Sequence, residues 1–507
     1  MPHILEKNVL LSESIIWRQQ KDFYSSEGLA AWDNKIPFYV TSNPFIANQY
    51  AEMFAQFMHE WTQENPNNNE PFYIIELGAG SGQFGFYFIK YLLQQLKKFR
   101  ERIKFKYVMT DFNQNIIDSW MSQPNLHEYI ENGILDFARY DVLEYKPIVL
   151  QRGAEILSNL KTPLLTIANY VIDSLPADLM SIEDGVCAIN SVTTSVEHED
   201  DKVSDFDNVK LQFNVEKQTD NIYDEDKYNK LLEFYSDNLL DTHFLFPVKT
   251  LDAIQFLQTC SNNGVVLIAS DKAYTSLSEL DHLGYPQLSA HGGCFSIMAN
   301  FDSVARFALM SEGSAILQDT RSGIRTGVFS FNTRLESMQQ TCFMIQEKIR
   351  GFCAGDYLNL YRNMVKHKGS WSLEALASQL ALSKWDPHSF AKVHSDILLL
   401  LDGADVLTVE NLATHMHNIA ENYYQMKHAP DVFFLIAIFF HSLKRYRDAL
   451  PYYKMSEAYF EPIFSLFFNM AVCYFYLNDK EKALALFEKA QLLEPNNNKL
   501  QEWFDKF

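Results

Sequence analysis

Phe72-Tyr73-Ile74-Ile75-Glu76-Leu77-Gly78-Ala79-Gly80-Ser81-Gly82-Gln83-Phe84-Gly85 is the stretch that decides the fold. Four apolar residues run up to an acid, a glycine turn follows, and Phe84 to Phe99 reads as an amphipathic helix. Run, turn and helix make the opening of a βαβ unit. Glycine is needed here because only a residue without Cβ lets the backbone bend sharply and come close to a ligand. The helix that starts after the turn points free N–H groups, and its positive dipole end, at whatever sits there.

Two ligand classes compete for this turn. Gly80, Gly82 and Gly85 satisfy G-x-G-x-x-G, the dinucleotide fingerprint. Glu76, Gly78, Gly80 and Gly82 satisfy an acid-x-G-x-G-x-G pattern that resembles class I S-adenosylmethionine (SAM) methyltransferases. Electrostatics favours the second. A carboxylate at the strand end faces a pyrophosphate unfavourably, whereas the ammonium and sulfonium of SAM are attracted to it. The next acid after an apolar run is Asp111, 31 residues past Gly80, later than the roughly 20 of a dinucleotide fold. SAM therefore ranks first and a nicotinamide or flavin dinucleotide second. A glycine turn with no ligand is the remaining alternative.

Outward from the turn, strands and helices alternate as in a doubly wound parallel sheet. Ile103 to Thr110 reads as a strand ending at Asp111, with a helix over Asn113 to Met121. Ile134 to Tyr140 ends at Asp141, and Pro163 to Ala168 ends in Asn169-Tyr170-Val171-Ile172-Asp173-Ser174-Leu175-Pro176. Ligands of such sheets lie beyond the carboxyl ends of the strands, where Glu76, Asp111, Asp141 and Asn169 all fall. Asp111 is placed to accept both ribose hydroxyls, Asp141 or its backbone to meet an adenine amino group, and Asn169 to face the methionine part or the methyl acceptor. For each acid taken alone, a solvated loop carboxylate is the competing reading.

Residues 1–70 read as largely helical, a segment packing on the catalytic domain, interrupted at Ala31 to Pro37. Thr41, Ser42 and Asn43 precede a helix with apolar positions from Phe45 to Trp61 and, on spacing alone, read as its cap. Residues 179–216 alternate like β-hairpins around the acidic run His198 to Lys202, a solvated turn. Asp224 to Leu240 reads as a helix, Gly264 to Ala269 as a buried strand, and His291-Gly292-Gly293 as a tight loop, a turn first and a ligand loop second. The domains are thus a segment over 1–70, a Rossmann-like domain over 71–335 with an insertion around 179–245, and a helical domain over 336–507.

That last domain carries an internal repeat. Phe467, Met470, Ala471, Tyr474, Ala483, Phe487, Ala490 and Pro495 follow the 34-residue tetratricopeptide spacing, and Phe433, Ile436, Ala437, Phe440, Ala449 and Tyr453 precede them at the same offset. The repeats cover 430–463 and 464–497. Two such units rarely stand alone, so Leu373 to Gln425 is expected to add degenerate helical hairpins.

Composition narrows the function classes. A net charge of −21 over 507 residues argues against a general nucleic-acid binder. No apolar run approaches the roughly 18 residues needed to cross a bilayer, and the start lacks a secretory pattern. Six scattered cysteines without a C-x-x-C pair point to free thiols in a reducing, cytoplasmic setting. The histidines form no metal-binding spacing, so no structural metal is expected.

Residues 15–330 resemble the MidA-type SAM-dependent methyltransferases. The matching pieces are Phe38 to Ile46, Ile75 to Gly82, and Ile167 to Pro176. The chain departs from that family at Tyr170, where glutamate is usual, and at Ser270-Asp271-Lys272, where aspartate-tyrosine-glycine is usual. The resemblance implies an α/β, Rossmann-like class I SAM methyltransferase domain with inserted β-hairpins, followed by an all-α tail. It implies SAM as cofactor, with Thr41 and Ser42 bordering it beside Glu76, Gly78, Gly80, Gly82, Asp111, Asp141 and Asn169. The mitochondrial member methylates an arginine of a respiratory complex I subunit, so a protein nitrogen is the expected acceptor. Asp173 is the candidate to orient or deprotonate that acceptor and Asn169 to supply a neutral wall. The tail would dock a protein partner or substrate. The other readings are a catalytically weak SAM-binding adaptor and a small-molecule methyltransferase.

Overall fold

The computed structural model describes residues 2–32, 38–100, 102–197, 206–215, 221–319, 323–427 and 429–504. It divides into two compact units, 1–358 and 359–507. The acidic run at 198–202 and part of the interruption at 31–37 lie outside the described residues.

In the first unit, β1 (His3–Leu10), α1 (Ile15–Glu27) and α2 (Pro44–Glu64) precede the glycine-turn strand β2 (Phe72–Leu77). Then come α3 (Gln83–Leu96), β3 (Phe105–Asp111), α4 (Gln114–Met121), α5 (His127–Glu131), β4 (Leu135–Arg139) and β5 (Leu164–Asn169). The insertion supplies β6 (Asp178–Glu183), β7 (Val186–Val196), β8 (Lys210–Val215), α6 (Asp226–Asn238) and β9 (Thr242–Phe246). Next are α7 (Val248–Cys260), β10 (Val265–Tyr274), α8 (Leu277–Leu280), β11 (Ser289–His291), β12 (Cys294–Ser296) and β13 (Ala299–Asn300). The series closes with α9 (Phe301–Met310), β14 (Ser314–Leu317), β15 (Ile324–Phe331) and α10 (Gln339–Arg350).

The main sheet runs in the order β14-β15-β10-β5-β2-β3-β4. The strands from β4 through β10 are mutually parallel, while β15 is antiparallel to both β10 and β14. Every residue of β2 is buried, as expected of a central strand covered by helices on both faces. Successive strands step outward from β2 in one direction to β3 and β4, and in the other to β5 and β10. The gap between β2 and β5 is therefore the topological switch point, the place where open α/β sheets bind ligands.

A second, antiparallel sheet joins β1 to the insertion in the order β1-β7-β6-β9, with β8 on β7. Here the helical reading of the first 70 residues needs correction. His3 to Leu10 is a strand, because β7 offers it an edge, pairing His3 with Val196 and Leu10 with Ser191; tertiary pairing overrides local preference. Phe38 to Val40 forms one turn of 3-10 helix leading into α2. Leu11, Ile16 and Trp17 pack with Leu179, Val192 and Phe295, fixing the N-terminal segment on this sheet.

In the second unit the described residues after 358 form helices only. These include α11 (Ala354–Lys366), α12 (Leu373–Leu382), α13 (Pro387–Leu400) and α14 (Val406–Glu421). The repeat segments supply α15 (Val432–Ser442), α16 (Tyr446–Tyr459), α17 (Phe464–Tyr476) and α18 (Lys480–Leu493). Ala437, Ala449, Ala471 and Ala483 are fully buried, where small side chains let paired helices approach closely.

Candidate cofactor pocket

The glycine turn is held from behind. Gly78, Gly80 and Gly82 take φ values of 60°, 55° and 77°, the left-handed region that a residue without Cβ enters freely. The Ala79 N–H donates to Thr110 O at 2.9 Å, and the Trp120 indole N–H donates to Gly80 O at 2.9 Å. Gly82 is the N-cap of α3. At Gly85 a Cβ would stand 3.0 Å from Glu76 Oε2 and 3.1 Å from the Tyr107 ring, so a side chain here would press on both.

Glu76 is buried, and its Oε2 accepts the Tyr107 hydroxyl at 2.8 Å. Burial pushes its carboxyl up to about 8, against the lowering effect of that hydrogen bond. Asp111, also buried, accepts the Asn113 N–H at 2.9 Å and is pushed up by burial to about 7. Both acids are thus poised to ionise when a cation or a donor arrives to stabilise the charged form. Asp141 accepts the Leu143 N–H at 3.0 Å and forms an ion pair with Lys21 of α1.

Asn169 closes β5. Its Oδ1 accepts the Tyr50 hydroxyl of α2 at 3.0 Å, while its buried Nδ2 has no hydrogen-bond partner. An amide donor left unmade inside a protein carries a cost of about 1–3 kcal/mol, which a ligand oxygen would offset. Thr41 and Ser42 do not cap α2; Asn43 does so alone, accepting the Ile46 N–H at 3.1 Å. Both preceding residues are left to line a cavity.

That cavity, about 460 Å³, has the size typical of small-molecule sites. It brings together Thr41, Ser42, Glu76, Gly78, Gly80, Asp111, Asp141 and Asn169. Gly82 is set one step back, capping the helix, and is not among the lining residues. Asp173, expected to act on the acceptor, is not brought to the cavity either. It lies in the turn after β5 with 1% exposure, and its Oδ1 accepts the Ser174 hydroxyl at 3.0 Å. The reason is tertiary: Asp271 Oδ2, on β10, accepts the N–H groups of Ile172 and Asp173 at 2.9 and 3.2 Å, folding the turn inward.

The opposite wall was missed by sequence reasoning. Ser12, Ser14, Trp17, Gln20, Lys21 and Tyr24 line the cavity from the N-terminal segment. The signal was present: Trp17, Gln20, Lys21 and Tyr24 fall at i, i+3, i+4 and i+7, one face of a helix. Glu6 of β1 anchors this wall, accepting the Ile15 N–H at 2.8 Å and the Thr194 hydroxyl at 2.7 Å. Trp17 is fixed by its indole N–H on Leu11 O at 2.7 Å and by the Phe295 ring, 5.0 Å away. Among the described residues no group of His, Cys, Asp and Glu is arranged to hold a metal ion, and no helix is long and apolar enough to cross a membrane.

The sheet order and a pocket lined by acids at successive strand ends define a Rossmann-like domain of the methyltransferase type. Residues 51–270 match the family described as "Putative S-adenosyl-L-methionine-dependent methyltransferase", and residues 465–497 match the tetratricopeptide repeat. The resemblance to MidA-type SAM-dependent methyltransferases with a repeat-bearing tail therefore stands, and SAM is the cofactor that the matched family names. No curated protein matches the sequence. Similar solved structures include an uncharacterized protein from Burkholderia thailandensis, 12% identical, covering 60% of this chain and 78% of that one with a TM-score of 0.32. A methyl transferase-type superfamily member from the same organism, bound to S-adenosyl-homocysteine, is 12% identical, covers 61% and 78%, and has a TM-score of 0.32. The pyocyanin biosynthetic protein PhzM is 12% identical over 62% and 72%, with a TM-score of 0.24.

Proposed function

We propose that this protein is a SAM-dependent methyltransferase acting on a protein side-chain nitrogen, with its helical repeats docking the partner or substrate. The observation that carries the reading is the acidic pocket at the β2/β5 switch point, with Glu76 and Asp111 buried on its floor and the unpartnered Asn169 amide in its wall. A phosphate-bearing dinucleotide is disfavoured by the same acids.

Bound SAM supplies an electrophilic methyl group. Glu76 answers the amino-acid end, and Asp111 accepts ribose hydroxyls. Asp141, or the backbone beside it, meets the adenine, and Thr41 and Ser42 border the cofactor. Asn169 contributes an uncharged amide to the pocket wall. The α1 wall, with Trp17 and Tyr24, excludes water and leaves the chain to do what an in-line displacement chiefly needs, which is positioning. The tetratricopeptide match at 465–497 supports a protein partner.

Calorimetry with SAM and S-adenosyl-homocysteine tests the pocket, and labelled methyl transfer into a host lysate tests the reaction. Label in one protein band supports a protein methyltransferase; label only in small molecules supports the third reading. Tight binding with no transfer supports an adaptor, a reading for which Tyr170 in place of an acid is the specific motive. No binding of either ligand refutes the assignment.

A further inference from the structure

Behind the pocket wall formed by residues 169–176 lies a pair of carboxylates that the proposed chemistry does not use. Asp173 and Asp271 are 1% and 0% exposed, and the Asp173 N–H donates to Asp271 Oδ2 at 3.2 Å, which brings the two acids together in one dry site. Two carboxyls sharing a site out of water repel unless one of them carries a proton. One oxygen of each is already engaged: Asp271 Oδ2 by the Ile172 and Asp173 N–H groups, and Asp173 Oδ1 by the Ser174 hydroxyl at 3.0 Å. Asp173 Oδ2 and Asp271 Oδ1 remain, both buried and with no hydrogen-bond partner, so a proton on either one gives the pair its missing donor.

The charges around the pair fit one shared proton. On the same strand, Lys272 lies close enough to favour the ionised form of Asp173, its Nζ held by Ser296 Oγ at 2.9 Å and beside His291 Nε2 at 3.3 Å. Tyr24 of α1, Tyr50 of α2 and Cys294 of β12 face the pair as neutral groups. Arg325, opposite Asp271 on β15, is turned to Glu279 at 3.1 Å. One proton on the pair leaves a single negative charge, balanced by Lys272. Losing that proton buries two carboxylates against one ammonium.

We propose that Asp271 is a positioning residue for the cofactor pocket: it shares one proton with Asp173, and this clamp holds the turn after β5 against β10 so that Asn169 and Tyr170 stay in the pocket wall. The inference rests on the pocket reading above. Burial raises both carboxyls above their ordinary values. The folded state therefore holds the proton where an unfolded chain has lost it. The clamp is intact at low and neutral pH and fails as pH rises through the pair's own titration.

The test is Asp271→Asn in the full chain. The new side chain keeps an oxygen for the Ile172 and Asp173 N–H groups and donates from Nδ2 to Asp173 without needing a proton. S-adenosyl-homocysteine affinity is measured by calorimetry from pH 6 to pH 9.5, and the ligand-free thermal midpoint is followed in parallel. At pH 6 the two proteins should bind alike within about twofold. Above the pair's titration the wild-type affinity should fall relative to the variant by up to about tenfold per pH unit, and its midpoint should fall relative to the variant's. Titrations elsewhere in the pocket are common to both proteins and cancel in the ratio.

An affinity ratio that stays flat with pH overturns the positioning role. Midpoints that run parallel overturn the shared proton. If neither protein binds ligand at any pH, the pocket reading and the positioning role both fail, while the midpoints still decide the proton. Should Asp271→Asn not fold, Asp173→Asn places the same amide donor on the other side and is expected to behave identically.

Discussion

Glu76 makes the pocket's affinity a function of pH, and the size of the effect follows from its burial. With the carboxyl pushed up to about 8, only about one molecule in a hundred is ionised at pH 6 and about half at pH 8. A ligand whose ammonium needs the carboxylate then gains roughly fiftyfold in affinity across that interval, about 2.3 kcal/mol. The sign is that of a raised acid: the ligand-free fold prefers the protonated form, so cation binding must drive the proton off, and it does so more cheaply as pH rises. Glu76→Gln keeps the shape and removes the titration. Isothermal calorimetry with S-adenosyl-homocysteine on both proteins at pH 6, 7 and 8 reads the ratio, in which titration of the ligand's own amine largely cancels. A wild-type to variant ratio that climbs tens of fold supports the account. A ratio constant with pH, or a variant that binds better throughout, shows that no cation meets this carboxylate.

Three further outcomes follow from the turn and its supports. Gly80→Asp places a charged side chain in the cradle and should lower S-adenosyl-homocysteine affinity by more than about tenfold, while the residue's tolerance of left-handed backbone keeps the far-UV circular dichroism unchanged. Gly85→Ala separates two effects: helix preference gains about 1 kcal/mol and crowding against Glu76 and Tyr107 costs about 1–3 kcal/mol. Denaturant midpoints should therefore move little or slightly down, while cofactor affinity falls because the carboxylate is displaced. Lys21→Met breaks a half-exposed ion pair and should change stability by less than about 1 kcal/mol, yet it loosens the α1 wall over Asp141. Stopped-flow release of ligand is expected to quicken, and an unchanged release rate would show that this wall does not retain it.

The floor of the pocket was legible in the sequence and its lid was not, for a physical reason. Asp111 and Asn169 each end a strand and Glu76 stands one residue before the end of another, and apolar runs closed by a polar residue are local signals that survive without tertiary information. The repeat helices were readable on the same ground, since their period lies within the chain. The strand His3 to Leu10 has no such signal. It exists because β7, almost 190 residues away, offers an edge, and the wall carried on α1 follows from that pairing. Asp173 was misplaced for a related reason. Its sequence neighbourhood matches a catalytic segment, but where its carboxyl points is set by Asp271 on β10, which no local pattern reveals.

Tyr170 gives the sharpest separation between what the fold needs and what the pocket needs. It holds φ at 54°, a left-handed conformation that costs a non-glycine residue of order 1 kcal/mol or more. Its N–H donates to Ser270 O at 3.0 Å, so the neighbouring strand β10 enforces the conformation. Tyr170→Gly removes the steric cost but frees the unfolded chain by roughly 0.5–1 kcal/mol. Backbone terms alone thus predict a stability close to that of the wild type. The residue, however, lines the cavity, and removing its side chain is expected to open the wall beside Asn169. The variant should keep its unfolding midpoint and lose cofactor affinity several-fold. A variant that unfolds much earlier and binds normally when folded would place the tyrosine among the structural residues. A strained residue kept for the pocket is the only reading that predicts the opposite pair of results.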